Sequence, residues 1–324
     1  VMAQAVAGVV AITVQYRRAI APRLASLALH YAVALVLLAT GALLGFLISW
    51  SNAHGRSALA DGFYLAHTTT MLLGFVGTTV LGTLTVLWPT MLRTPMEPVA
   101  PRWTTRGLPY LVGGTGLVAA CGLGPPLAGL GTLVYLGGAC AVLVPAYRTA
   151  RRVPPTSFAT ASATASVAWF VGCVAVLGAR MSLADDAAAA REVVHSLRLP
   201  LAAGFALQIL VAALSYLTPV MLGGGPAATR ATNAIMDRFA AYRVTAANAC
   251  LLLALYPGAP WQVRVVAGAL AALVTSYLLA GMMLSLREVS QRKRPPRTPR
   301  TPADADPTSD PAGHRSAQPR RGTR

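Results

Sequence analysis

Two histidines, His30 and His67, lie inside long uncharged stretches of this 324-residue chain, where an ionisable side chain is costly and marks a functional position by default. A neutral imidazole offers one ring nitrogen to a metal while the other is held by a neighbour. Met71 sits one helical turn beyond His67 and adds a thioether, and Gly74 follows with no side chain. Together with Tyr64, Thr78, Leu81 and Thr85 these residues form a stripe at helical spacing. With a rise of about 1.5 Å per residue and a hydrocarbon core of about 30 Å, His67 is expected about 12 Å below the outer surface and His30 about 9 Å above the inner one. Their levels would then differ by about 9 Å. Two imidazoles on adjoining helices would approach one haem iron or one metal ion, with Gly74 leaving room for a flat cofactor. The plainer alternative is a neutral imidazole bonded to Thr, Ser or a backbone carbonyl of a neighbouring helix.

The other candidates for chemistry are weaker. Cys121, Cys140, Cys173 and Cys250 are scattered singly, with no C-x-x-C pair, so they are expected to pack as small apolar groups. Gly223, Gly224, Gly225 and Pro226 lack the following GK[ST] of a phosphate loop and read as a helix-ending turn. Gln208, with Ser215 and Tyr216 two turns on, suits bonding between helices. The small residues from Ala159 to Ser166 would let two helices approach closely in lipid.

The elements that must position these residues follow from composition. Only 11% of the chain is charged and 55% is hydrophobic, against about 25% charged in soluble domains. This excludes an ordinary soluble fold, and the absence of alternating strands argues against a barrel. Uncharged runs long enough to span a bilayer predict an all-α, polytopic transmembrane bundle of about nine helices over residues 1–286. They are placed near Val1–Tyr16, Leu24–Trp50, Leu59–Leu92, Gly107–Leu123, Leu127–Tyr147, Ser157–Leu177, Leu199–Leu222, Phe239–Tyr256 and Gln262–Leu286. The first, at 16 residues, reads as the remainder of a truncated helix. Met181–Leu197, with Asp185, Asp186, Arg191 and Glu192, reads as a surface helix lying over the bundle. No internal repeat stands out.

Of the 27 Lys and Arg residues, 22 fall on one side of this arrangement and 5 on the other, which marks the richer side as cytoplasmic. Trp50, Trp88 and Trp261 sit near predicted helix ends, where indoles favour the headgroup region, and Trp169 is placed deeper. Residues 287–324 alternate Arg and Lys with Pro and polar residues, so they are expected to form a disordered cytoplasmic tail. Ten of the basic residues belong to this tail, so the net charge of +17 does not point to nucleic acid.

Two segments, AHTTTMLLGFVGTTVLGTLTVLWPTMLRT at Ala66–Thr94 and GFALQILVAALSYLTPVMLGGGP at Gly204–Pro226, resemble the membrane module of bacterial proteins related to haem-copper oxidase subunit I and the NnrS family. The resemblance spans most of Leu24–Leu286. It implies a bacterial inner-membrane protein accessory to copper or nitrogen-oxide redox metabolism, with haem or copper as cofactor and a redox partner or cupredoxin protein beside it. That family shows H-x-H where this chain has His67 and then Thr69, so one ligand is missing and a degenerate member is implied.

The expected site is therefore His67, His30 and Met71. Two other readings stay open at this point: a small-solute or metal permease, and a structural or assembly subunit without cofactor.

Overall fold

A computed structural model describes residues 2–18 and 25–292, and every regular element in that range is helical. The helices are α1 (Met2–Arg18), α2 (Ala25–Ala53), α3 (Ser57–Thr69), α4 (Thr78–Met91), α5 (Ala100–Ala119), α6 (Pro126–Arg152), α7 (Phe158–Met181), α8 (Ala187–Ser196), α9 (Gln208–Leu222), α10 (Gly225–Met236), α11 (Ala240–Leu255) and α12 (Trp261–Arg292). Six stretches are long and apolar enough to cross a membrane: Leu27–Ala53, Ser57–Met91, Pro126–Arg152, Phe158–Met181, Pro200–Leu222 and Trp261–Arg292. The last helix runs to Arg292, past its expected end at Leu286, and the tail expected beyond it lies outside the described residues.

Two of the six spans are not pure α-helix. Thr70–Gly77, between α3 and α4, and Pro200–Leu207, which leads into α9, are π-helical. Such wider turns are rare and concentrate where function needs them.

The two π segments are offset by 130 residues, and so are α4 and α9, which follow them. Aligned at that offset without a gap, Thr70–Leu92 and Pro200–Leu222 share Gly74 with Gly204, Phe75 with Phe205, Leu84 with Leu214, Leu87 with Leu217, Pro89 with Pro219, Met91 with Met221 and Leu92 with Leu222. The same offset sets Ser57, where α3 begins, on Ala187, where α8 begins, and α2 on α7. Beyond α9 the second copy gains helix α10, and the offset becomes 137 residues, carrying α5 onto α11 and α6 onto α12. The bundle is thus a duplicated four-helix unit with α1 packed on α2, contrary to the expectation of no repeat.

Contacts between helices fix their directions. Added methyl groups on Gly41 and Gly82 would meet Met71 and His30 respectively, so α2 runs antiparallel to α3–α4. Ser166 donates to the Phe205 carbonyl at 3.0 Å and Ser162 to that of Gln208 at 3.4 Å, giving α7 and α9 the same relation. Each unit has four helices, so α7 points the same way as α2 and the two units are parallel copies.

Helix α8 is not the surface helix expected from its charges. It buries Ala190, Val193 and Val194 and packs on α3, its own counterpart. Arg191 Nη1 donates to Asp61 Oδ1 at 2.7 Å, and these residues too are 130 apart. A contact between equivalent positions must lie on the pseudo-twofold axis that relates the units.

The Gly223–Gly225 turn is as expected, with φ of 62°, 88° and 83°, values that glycine alone adopts cheaply. Trp88 is not at the headgroup level. It is buried and donates from Nε1 to the Ala146 carbonyl at 3.0 Å.

Candidate functional site

The structure puts His67 and Met71 together and keeps His30 away. His67 Nδ1 is 2.7 Å from the Gly41 carbonyl oxygen, and a methyl group on Gly45 would stand 3.3 Å from its ring. Met71 Sδ occupies the space a side chain on Gly41 would need. His30, fully buried, packs instead on Gly82 of α4. Along the continuous helix α2, Gly45 and residue 30 are about 22 Å apart at 1.5 Å per residue. The two imidazoles do not converge on one ion. The expected 9 Å separation assumed that α2 matched a core of about 30 Å, whereas its 29 residues reach about 43 Å.

The gap expected at Gly74 is also filled. A methyl group there would lie 3.1 Å from Leu37 Cδ1 and 3.2 Å from Thr115 Cγ2. These glycines admit the side chains of neighbouring helices, so the residues present do not fit a porphyrin clamped between His30 and His67. Gly74, Thr78, Leu81 and Thr85 face the core, but Tyr64, His67 and Met71 are only partly buried. The π turns explain the break: Leu65, Thr69, Leu73 and Gly77 are the buried set upstream, at a spacing of four that a 3.6-residue helix cannot hold on one face.

At the π segments, polar groups are met from other helices. Tyr135 Oη donates to the Leu73 carbonyl at 3.0 Å, and Ser166 Oγ to that of Phe205. In lipid no water can replace such bonds. The rings of Tyr135, Phe170 and Phe205 form a column linking the two segments, with centroids 6.3 Å and 4.5 Å apart.

Two cavities open in the second unit, and both were missed from sequence. A chamber of about 250 Å³ lies between α7, α9, α11 and α12. Its origin is a difference between the copies. In the first unit α5 and α6 touch through backbone: a methyl group on Gly107 would lie 2.7 Å from the Gly138 carbonyl oxygen, and one on Gly114 2.7 Å from that of Gly131. The corresponding positions in α11 and α12 are Val244 with Thr275, and Leu251 with Gly268. The helices stand further apart there, a methyl on Gly268 reaching no closer than 4.0 Å to Ala254, and all four residues line the chamber.

Arg243 also lines the chamber, with 4% of its surface exposed. Phe158 lies on the guanidinium at 3.7 Å and Tyr277 at 4.2 Å, contacts that stabilise a desolvated cation by about 2 kcal/mol. Nη1 donates to the Met236 carbonyl at 2.9 Å. Nε and Nη2 are buried with no acceptor within hydrogen-bond distance. Other polar groups of the wall are engaged: Asn248 Nδ2 donates to Val244 and its Oδ1 accepts from Trp169, while Thr275 donates to Ala271.

A second cavity, about 280 Å³ and polar, lies at the other end of Phe158 and is lined by Arg93, Ser157, Ser215, Asn233 and Asp237. Asp237 Oδ1 accepts the Phe158 backbone N–H at 2.9 Å. Burial raises this carboxyl above the usual carboxylate range, opposed by that N–H and by the charges of Arg93 and Arg243. Phe158, Arg243 and Met236 therefore separate a polar vestibule from an apolar chamber.

No family model, curated protein or solved structure matches the chain.

Proposed function

We propose that the chain is a carrier for a small solute in a bacterial inner membrane, built from α1 and two parallel four-helix units that together make nine crossings. The observation that supports it most directly is the pair of π-interrupted spans at matched positions of the duplication, since parallel repeats with broken helices near the midplane are a construction that transporters reuse. The vestibule, the aromatic plug at Phe158 and the chamber give a path with one constriction. The charge asymmetry puts Arg102, Arg148 and the C-terminal tail in the cytoplasm and Arg56 outside.

The test is thiol accessibility in proteoliposomes, with the four native cysteines replaced by Ser. Cysteine at position 56 should react with a membrane-impermeant reagent from outside, and cysteine at position 148 only from inside. Cysteine at position 247, in the chamber wall, should react from at least one side. No reaction at 247 from either side removes the carrier reading, and the reverse pattern at 56 and 148 removes the orientation.

A second reading keeps the redox resemblance, with haem or copper held by His67 beside Met71 and a cupredoxin or other redox partner. It is favoured by the bond from His67 Nδ1 to Gly41, because ligand imidazoles are commonly oriented by a carbonyl on the far nitrogen. The dithionite-reduced spectrum and copper content of purified protein should then show a cofactor that His67→Ala abolishes. A colourless, copper-free wild type, or a cofactor unchanged in the variant, rejects it.

A further inference from the structure

The Arg243 guanidinium is enclosed on every side but one. Its two faces are covered by Phe158 and Tyr277, and Nη1 is tied to the Met236 carbonyl. The remaining donors, Nε and Nη2, share a single edge, the edge that takes a carboxylate through two parallel bonds. That edge belongs to a residue of the chamber wall, and neither donor has an acceptor in the protein. Among the described residues the ion pairs are Glu97–Arg152, Asp61–Arg191 and Glu288–Arg292, and Arg243 belongs to none of them. Asp237, the nearest acid, turns its Oδ1 to the Phe158 N–H.

The space beside this edge is elongated and apolar. Along α11 the wall runs from Arg243 to Ala254, about 16 Å at 1.5 Å per residue. Because the side chains of Asn248 and Thr275 are already bonded within the protein, the slot offers a hydrocarbon surface with one cation at its end. A small inorganic anion would leave that surface uncovered, and a neutral hydrocarbon would leave two buried donors unmet.

We propose that the chamber binds an amphipathic carboxylate, a single medium-length alkyl chain whose carboxylate lies on Arg243 Nε and Nη2 and whose chain extends along α11 toward Ala254. This names the substrate class of the carrier and rests on that reading for its role in transport, while binding is testable by itself.

The probe is radiolabelled decanoate, measured by equilibrium dialysis against the full chain in phosphatidylcholine nanodiscs, with decan-1-ol as the uncharged control. Wild type should bind decanoate saturably. Arg243→Gln should weaken decanoate binding tenfold or more, as expected for losing a charge-assisted pair of bonds, and leave decan-1-ol unchanged. Leu251→Trp, which fills the slot without touching the guanidinium, should weaken both and keeps the test decisive if Arg243→Gln fails to fold. Equal binding of decanoate by wild type and Arg243→Gln, or decanoate binding untouched by Leu251→Trp, overturns the proposal. So does competition by phosphatidylglycerol nanodiscs that displaces all decanoate, which would make the occupant a membrane lipid.

Flux separates the two readings. Decanoate that binds but never crosses proteoliposomes defeats the carrier and leaves the site. Decanoate flux insensitive to Leu251→Trp defeats the site and leaves the carrier.

Discussion

Deletion of Val76 should abolish folded protein, seen as loss of the monodisperse peak in size-exclusion chromatography, whereas Val76→Ala should be recovered normally. The deletion removes one residue from the π segment Thr70–Gly77 and lets the chain close into ordinary α-helix, in which each residue turns by about 100°. Thr78 would then take the place of Gly77. A methyl group at that place already collides with Tyr135 Oη and lies 2.8 Å from Phe170 Cζ. Trp88, buried and bonded to Ala146, would rotate out of the core with the rest of α4. Core collision and loss of a buried tryptophan together exceed about 4 kcal/mol, the range of disrupted cores. A Val76 deletion that purifies and melts like wild type would show that the wider turns are dispensable.

Gly114→Leu is the second large effect, because it writes into the first unit the residue that the second unit carries at position 251. The new Cβ would lie 2.5 Å from Tyr135 N and 2.7 Å from the Gly131 carbonyl oxygen, and neither backbone atom can swing aside as a side chain would. Helices α5 and α6 would have to part, at a cost of about 3 kcal/mol or more. Thermal unfolding in detergent should report a clear fall in midpoint. The reciprocal Leu251→Gly should cost less, since it enlarges a chamber that already exists. Equal and small effects of the two would mean that the glycine contacts do not set the difference between the units.

Much of this architecture was legible in the residues. Charge-free runs located the spans, Gly122, Gly124, Pro125 and Pro126 marked the break between α5 and α6, and Gly223–Gly225 marked the end of α9. The π segments were not legible, because TMLLGFVG reads locally as α-helix and its extra width is imposed by the helices packed on it. The duplication left a faint signal in the GF, P and ML positions of the two quoted segments, diluted by substitution elsewhere. Arg243 looked like one more topological charge beside Arg238, yet one is buried and the other exposed. What distinguishes them is the position of Phe158 and Tyr277, which lie 85 residues upstream and 34 downstream of it in the chain. The histidine pairing failed for a geometric reason, since charge-free length does not fix where a long helix sits in the bilayer.

The Asp61–Arg191 pair also governs which halves can associate. If two first units met about the same twofold, Asp61 would stand against Asp61, and two second units would oppose Arg191 with Arg191. Like charges at hydrogen-bonding distance disfavour either homotypic assembly. One pair of opposite charges on the axis thus makes the two copies obligate complements, and it ties their fusion in a single chain to correct assembly rather than to convenience of expression.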